Sequence, residues 1–169
     1  MKSERAPDEE VVAVVETDMC GVDAIQYLTG CTFGKGNLIH LDYGKNAFTF
    51  YRRSDGRGMR VVTRPELFDE ADDDMMSLMR RKMAGEVLSD KEENQLTESR
   101  AARTRRIMEA DLKELFIVKP VEKPVPKKAR VLASLTCEKC GEKTMETRTR
   151  RINGQTLCIP CFEVEEKRD

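Results

Sequence analysis

The chain has 169 residues, which is enough for one medium-sized domain or for one domain and a small module. Its 30 Lys and Arg residues nearly balance 31 Asp and Glu residues, so the net charge of −1 gives no global electrostatic reason to expect nucleic acid or a membrane as partner. The sequence lacks both the roughly 18 consecutive apolar residues of a membrane-spanning helix and the apolar stretch of a signal peptide. We therefore expect a cytoplasmic protein whose six cysteines are metal ligands or reactive thiols rather than disulfides.

The N-terminal third alternates short apolar runs with turn residues. Residues 11–16 predict a buried strand, and residues 20–29 predict a short helix that is capped at Thr17-Asp18 and ends at Gly30. Three further strands, separated by glycine-bearing turns, are predicted at residues 38–43, 47–53 and 59–64. This third of the chain therefore predicts a strand, a helix and then a meander.

The middle of the chain predicts helices. Met75, Met79 and Met83 recur every four residues, which is typical of one stripe of an amphipathic helix. Ser89 and Glu92 form a capping-box pattern that opens a long charged helix. One side of that helix carries apolar residues, namely Ile107, Met108, Leu112 and Leu115. We expect both apolar stripes to pack against the sheet or against a second subunit.

Residues 119–130 predict a stiff, extended linker, because they contain three prolines and five basic residues. This linker would separate a core domain, residues 1–118, from a cysteine module, residues 131–169. The fold class that follows is α+β, with an antiparallel or mixed sheet and helices in the core.

Four cysteines of the module have the spacing of a structural zinc site. Cys137 and Cys140 form one C-x2-C pair, and Cys158 and Cys161 form a second pair after seventeen intervening residues. A two-residue spacing lets one tight turn aim both sulfurs at the same point, and four thiolates complete a tetrahedral Zn²⁺ shell with no open position. We expect one structural zinc ion here, with free thiols or two disulfides as the alternative.

The sequence between and after the two pairs predicts a treble-clef-like finger. Gly141 provides a permissive backbone after the first pair, and Asn153-Gly154 is the strongest short hairpin signal. The residues after Cys161 can start a helix. So small a module has too little core to fold alone, so metal binding would supply its folding free energy.

The charge of this finger is balanced, with seven Lys and Arg residues against seven Asp and Glu residues between Cys137 and Asp169. Arg148, Arg150 and Arg151 do cluster on the predicted hairpin and could contact phosphates. We nevertheless favour a solvated face and a docking role over nucleic-acid binding, which stays an alternative.

Two further cysteines, Cys20 and Cys31, lie in the predicted core. Cys20 falls in the first turn of the predicted helix, where the helix dipole favours a thiolate. Cys31 lies just past the end of that helix, which puts the two thiols about 15 Å apart. The default interpretation of each is a small buried hydrophobic residue.

Three motifs of the N-terminal third resemble the signature of the FmdE family of formylmethanofuran dehydrogenase proteins. They are Cys20-Gly-Val-Asp-Ala-Ile-Gln, Thr29-Gly-Cys-Thr-Phe-Gly-Lys-Gly-Asn-Leu and Asp42-Tyr-Gly-Lys. The resemblance implies an α+β core that forms a homodimer and holds a metal-binding cleft, with a separate C-terminal zinc finger. It places Cys20 at that cleft with Cys31 as a neighbour, so a second metal ion could bind in the core. It also implies association with the subunits of a molybdenum or tungsten enzyme.

The chain departs from this family in one respect. Family members usually open with a helix that bears a His-Gly-His-x-Cys-Pro-Gly motif, whereas the only histidine here is His40. We expect either that the sequence begins late or that this half of the site is absent. Our preferred hypothesis is a metal-binding protein of the family. The alternatives are an enzyme with Cys20 as the catalytic residue at a core metal site, and a nucleic-acid-binding zinc-finger regulator.

Overall fold

The structure is a computed structural model that describes residues 10–65 and 73–167. The chain divides into two compact units, Met1–Lys128 and Ala129–Asp169. Of the charged segment at residues 1–10, only Glu10 lies within the described residues.

The first unit is built on a five-stranded mixed sheet with the spatial order β2-β1-β3-β4-β5. Its strands are β1 (Val11–Val15), β2 (Leu38–His40), β3 (Ala47–Arg52), β4 (Gly58–Thr63) and β5 (Phe116–Val121). β1 runs parallel to β2 and antiparallel to β3, and the remaining pairs are antiparallel. The predicted meander is therefore wrong at its first strand, because β1 lies between β2 and β3.

Helix α1 (Gly21–Thr29) is the crossover that connects the two parallel strands. It begins after Cys20 rather than at the predicted Thr17-Asp18 cap. It ends as predicted at Gly30, whose φ of 72° is the left-handed conformation that favours glycine at a helix C-terminus. The buried side of α1 lies against the sheet in a cluster formed by Ala13, Val15, Val22, Ile25, Cys31 and Leu38.

Strand β5 and the chain after it correct the predicted linker. β5 extends to Val121, so three residues of the predicted linker at 119–130 form a strand. The chain remains part of the first unit up to Lys128. Arg53 holds this segment by donating a hydrogen bond of 2.8 Å to the carbonyl of Pro126.

Helices α2 (Asp73–Met83) and α3 (Asp90–Glu109) pack on each other, and a short helix α4 (Leu112–Leu115) then leads into β5. Their shared core contains Met75, Leu78, Leu88 and Leu96. The predicted methionine stripe is thus buried at its start, whereas Met83 is 83% exposed.

The long helix α3 begins with the predicted capping box, since Ser89 and Glu92 exchange the expected side-chain to backbone hydrogen bonds. The predicted apolar side of the helix is corrected in extent, because α3 ends at Glu109 and Leu112 and Leu115 lie in α4. Ile107 and Met108 are exposed and do not pack against the sheet, and their packing against a second subunit stays a prediction. No helix within residues 10–65 and 73–167 combines the length and the apolar character needed to cross a bilayer.

The second unit consists of two β-hairpins followed by a helix. The first hairpin pairs β6 (Ser134–Thr136) with β7 (Lys143–Met145), and the second pairs β8 (Thr149–Ile152) with β9 (Gln155–Cys158). Helix α5 (Ile159–Glu166) completes the unit. The α+β fold class with a C-terminal four-cysteine finger is confirmed.

Candidate functional site

The first pair of cysteines of the finger lies on a tight turn after β6. The Cys137 N–H donates to the Glu142 carbonyl, and the Gly141 N–H donates to the Cys137 carbonyl, both at 2.9 Å. Gly141 has a φ of 76°, which a residue with a side chain adopts only with strain. This turn brings the sulfurs of Cys137 and Cys140 to the same side of the chain.

The second pair lies where β9 passes into α5. Cys158 is the N-cap of α5, and Cys161 lies in the first turn of that helix. The hairpin that leads there turns at Asn153 and Gly154, whose φ values of 49° and 81° are those of a type I′ turn. The hairpin predicted from this dipeptide is confirmed.

The four cysteines form one cluster in which every sulfur lies within 4.8 Å of the others. The sulfurs of Cys140 and Cys158 are 3.9 Å apart. A tetrahedral zinc ion with Zn–S bonds of about 2.3 Å requires sulfur separations of about 3.8 Å, so the cluster fits this ion. Within the described residues, no other group of three or more cysteine, histidine or acidic side chains brings its ligand atoms together.

The thiols of the cluster differ in how easily they ionise. N–H groups of Cys140 and then Cys158 point at the Cys137 sulfur and lower the pKa of that thiol to about 6. The shared hydrogen bond with Cys158, followed by burial, raises the pKa of Cys161 to about 12. Four thiolates at these separations repel one another, and a divalent cation among them would supply the compensating charge.

The core cysteines, by contrast, are not brought together. Cys31 is fully buried, and its thiol donates to the carbonyl of Val11 at 3.3 Å. Val11 is the first residue of β1, whereas Cys20 lies beyond the last residue of that strand and is exposed. The two thiols therefore lie at opposite ends of β1.

Two loops meet at the carboxyl end of β1, next to Cys20. The Leu41 N–H donates to the Val15 carbonyl at 2.8 Å, and the Lys45 N–H donates to the Glu16 carbonyl at 2.9 Å. These bonds hold the Asp42-Tyr-Gly-Lys loop against the chain that leads to Cys20. Ligands of sheets with parallel strands commonly bind at this end, beyond the carboxyl ends of the strands.

A partly buried ion pair supports the same loop. Glu16 accepts two hydrogen bonds from the guanidinium of Arg60, at 2.6 Å to Oε1 and 2.8 Å to Oε2. These bonds lower the pKa of the Glu16 carboxyl below its usual value of 4.5. They connect the end of β1 to β4 across the intervening strand β3.

Asn37 is a residue of the signature whose structural role the sequence pattern does not reveal. It is buried, its amide donates to the Val11 carbonyl at 3.1 Å, and its Oδ1 accepts from the Thr32 N–H at 3.0 Å. Asn37 thus fixes the loop after α1 to the start of β1. His40, the single histidine, is exposed at the end of β2.

Comparison with known proteins gives matches to both units. Residues 1–117 match the family described as FmdE, molybdenum formylmethanofuran dehydrogenase operon. Residues 132–167 match the prokaryotic dksA/traR C4-type zinc finger.

Two known proteins are similar to most of this chain. A probable S-adenosyl-L-methionine-binding protein of Archaeoglobus fulgidus is 33% identical over 158 residues, which cover 90% of this chain and 41% of the relative. The chain thus spans about two fifths of the length of that relative. A tungsten formylmethanofuran dehydrogenase FmdE-like protein from Syntrophus aciditrophicus has a similar fold, with a TM-score of 0.55 and 22% identity over 99% of this chain and 77% of that chain.

Proposed function

The chain belongs to the FmdE family, and on that premise we propose that it is a metal-binding protein whose finger holds one structural zinc ion. The observation that carries this proposal is the cluster of four sulfurs, all within 4.8 Å of one another. Four thiolates fill a tetrahedral shell and leave no open position for a substrate, which is the arrangement of a structural zinc ion rather than a catalytic one.

The zinc ion would stabilise a unit that has very little core of its own. Its buried hydrophobic cluster contains only Cys137, Leu157 and Cys158 among the described residues, with Ile152, Cys161 and Phe162 packed beside them. Three of these six side chains are metal ligands. Zinc binding to such peptides contributes on the order of 10 kcal/mol, so the ion would supply most of the folding free energy of this unit.

Any further chemistry of this chain would lie in the core, at the carboxyl end of β1. The thiol of Cys20 is exposed and lies at the N-terminus of α1, so it is accessible to a metal ion or a substrate. The buried hydrogen bond of Cys31 supports a packing role for that residue. We infer that Cys20 is the core ligand or nucleophile, without Cys31 as its partner.

The partner subunits and the oligomeric state of this chain are also proposals. The family description and the solved relative both refer to formylmethanofuran dehydrogenase, with molybdenum in one case and tungsten in the other. These names support a role as a subunit or companion of such an enzyme, and the resemblance of the core motifs supports a homodimer.

Metal analysis of the purified chain tests the zinc proposal. We expect one zinc ion per chain in the wild-type protein and none in a variant with Cys158→Ser and Cys161→Ser, because two of the four ligands are lost. Cys20→Ser is the matched control and should retain that zinc ion. A wild-type protein without zinc, or a double variant that retains it, would contradict the proposal. A second metal ion that is lost with Cys20→Ser would indicate that Cys20 is a ligand of a metal site in the core.

A further inference from the structure

The second hairpin of the finger carries a concentrated positive charge. Between Thr147 and Phe162 the chain has three cationic residues and no aspartate or glutamate. The three are Arg148, Arg150 and Arg151, and all are exposed. The balanced charge of the whole finger argued against nucleic-acid binding. The positive charge is nevertheless concentrated on this hairpin.

Acidic groups of the finger have partners elsewhere. Glu138 accepts a hydrogen bond from the Thr156 N–H, and Glu165 forms an ion pair with Lys139. Among the described residues, no carboxylate lies within 4.0 Å of any of the three guanidinium groups on the hairpin. The positive charge of the hairpin is thus not neutralised by the unit itself.

Each of the three guanidinium groups donates to a nearby main-chain carbonyl. Arg148 donates to Thr147, Arg150 to Thr149, and Arg151 to Gly154, at distances of 3.4, 2.9 and 3.3 Å. A guanidinium has five N–H donors, so most donors of each arginine remain available to a ligand.

Arg150 and Arg151 lie on β8, and Arg148 directly precedes the first residue of that strand. β8 pairs only with β9 in its two-stranded sheet, and no other strand of the described chain borders it. Arg150 lies opposite Leu157 and Arg151 opposite Thr156, so the two consecutive arginines project from opposite faces of the hairpin. A linear anion that runs along the β8 edge would lie between them, and Arg148 would add a third contact within about 10 Å.

We propose that the β8 edge binds the phosphate backbone of a nucleic acid through Arg148, Arg150 and Arg151. One strand of duplex DNA carries a phosphate for about every 3.4 Å of helix axis, so about three phosphates of that strand lie along 10 Å of the axis. A guanidinium binds phosphate through two parallel hydrogen bonds, which a lysine ammonium cannot match. Such contacts position the protein on nucleic acid without reading its sequence.

The rest of the hairpin surface favours nucleic acid over an acidic protein. Its exposed residues between Thr147 and Thr156 are all polar or glycine. Protein interfaces instead concentrate their binding energy in buried aromatic, methionine and arginine anchors surrounded by apolar contacts. A surface with arginines and no exposed apolar side chain matches a phosphate backbone better.

The salt dependence of binding tests the proposal on the full-length, zinc-loaded protein. Fluorescence anisotropy would be measured with a labelled 20-base-pair DNA duplex and with single-stranded DNA and RNA of the same sequence. Three phosphate contacts predict a slope of about −2.7 for log affinity against log salt on the duplex, which is about 40-fold weaker binding at 200 mM than at 50 mM salt. The single-stranded probes show which form of the backbone is preferred.

Variants assign the effect to the hairpin. The triple change Arg148→Gln, Arg150→Gln and Arg151→Gln should abolish binding at 50 mM salt. The matched control removes the same charge from exposed helix positions, by Arg80→Gln, Arg100→Gln and Arg105→Gln, and should leave the slope unchanged. Replacing the three hairpin arginines by lysine should weaken binding but keep most of the slope, which separates charge loss from misfolding.

The proposal is overturned by any of three results. The first is a wild-type slope near zero or no binding to any of the probes. The second is equal loss of binding in the hairpin variant and in the control variant, which would indicate a net-charge effect. The third is competition by poly-glutamate as effective as that by unlabelled DNA, which would point to an acidic protein as the partner.

Discussion

The ion pair between Glu16 and Arg60 provides the sharpest test of the core structure. Glu16 is 7% exposed at the end of β1 and accepts two hydrogen bonds from the Arg60 guanidinium. Glu16→Gln keeps the shape of the side chain and removes its charge, but it also turns an amide NH₂ group towards the guanidinium donors. The variant therefore breaks one hydrogen bond and leaves the buried end of Arg60 poorly paired.

The expected cost follows from the exposure of the two partners. Removing one partner of a buried ion pair costs about 3–5 kcal/mol, whereas an exposed pair contributes less than about 1 kcal/mol. The Arg60 side chain is 35% exposed, so solvent screens part of the interaction. We expect Glu16→Gln to lower the free energy of unfolding of the first unit by about 2 kcal/mol, and its Tm by about 6 °C.

The pH dependence of this difference has a defined sign. The Arg60 hydrogen bonds lower the pKa of Glu16 in the folded protein, so the pair stabilises the fold fully above the unfolded value of 4.5. This stabilisation is lost as the pH falls through the lower pKa of the folded state. Urea unfolding followed by circular dichroism should therefore show the full difference at pH 7 and a smaller one at pH 3.

Glu98→Gln is the control for this experiment, because Glu98 is an exposed carboxylate on α3 and should change the stability by less than about 0.5 kcal/mol. A Glu16→Gln difference that is the same at pH 3 and pH 7 would show that shape, rather than charge, accounts for the effect. A Glu16→Gln variant as stable as the wild-type protein at pH 7 would refute the ion-pair argument itself.

Two further predictions concern the helical hairpin and the finger. Leu96→Ala should lower the free energy of unfolding of the first unit by about 3 kcal/mol, because Leu96 is only 2% exposed. Ile107→Ala on the same helix is the control and should lower it by less than about 1 kcal/mol. Urea unfolding midpoints would compare the two variants, and equal losses of stability would contradict the assigned core. A zinc chelator in excess should collapse the amide NMR signals of residues 132–167 and leave those of the core in place. Loss of all signals together would contradict the division into two independent units.

Sequence alone was sufficient where the determining interactions are local. The two C-x2-C pairs, the Asn153-Gly154 turn, the capping box of Ser89 and the helix end at Gly30 each depend on residues within a few positions of one another. Their geometry follows from short-range backbone conformation, which a sequence pattern records directly.

Sequence alone was insufficient to predict strand pairing between segments that are far apart in the chain. β2 has three residues and pairs with β1, whose matching residues lie 25 positions earlier in the chain. A pattern of successive short strands favours adjacent pairing, so it predicted a meander that β1 in fact interrupts. The choice of partner depends on α1, which carries the chain back across the sheet.

The linker prediction failed at its start for a different reason. Pro120 and the lysine before it suggested an extended linker, but both belong to β5. β5 is an edge strand, where a proline is tolerated because its missing N–H can lie on the side without a neighbouring strand. Proline and lysine occur in edge strands as well as in linkers, so their presence alone does not distinguish the two kinds of segment.

The structure separates the residues of the family signature into two groups. The Thr29 hydroxyl accepts from the Cys31 N–H at 3.1 Å, and the Cys31 thiol and the Asn37 amide both donate to the carbonyl of Val11. Folding of the loop after α1 is sufficient to account for these three residues. Their presence in the signature is therefore evidence about the fold and carries little information about chemistry.

Cys20 and Tyr43 belong to the other group, because both are exposed and burial does not account for their place in the signature. They follow the two parallel strands β1 and β2, and backbone hydrogen bonds hold their loops together at one edge of the sheet. The Lys45 ammonium lies 5.9 Å from the centre of the Tyr43 ring and brings a positive charge to the same edge. Cys20 and Tyr43 are therefore exposed signature residues that follow the carboxyl ends of two parallel strands, so experiments on the chemistry of the core should begin there.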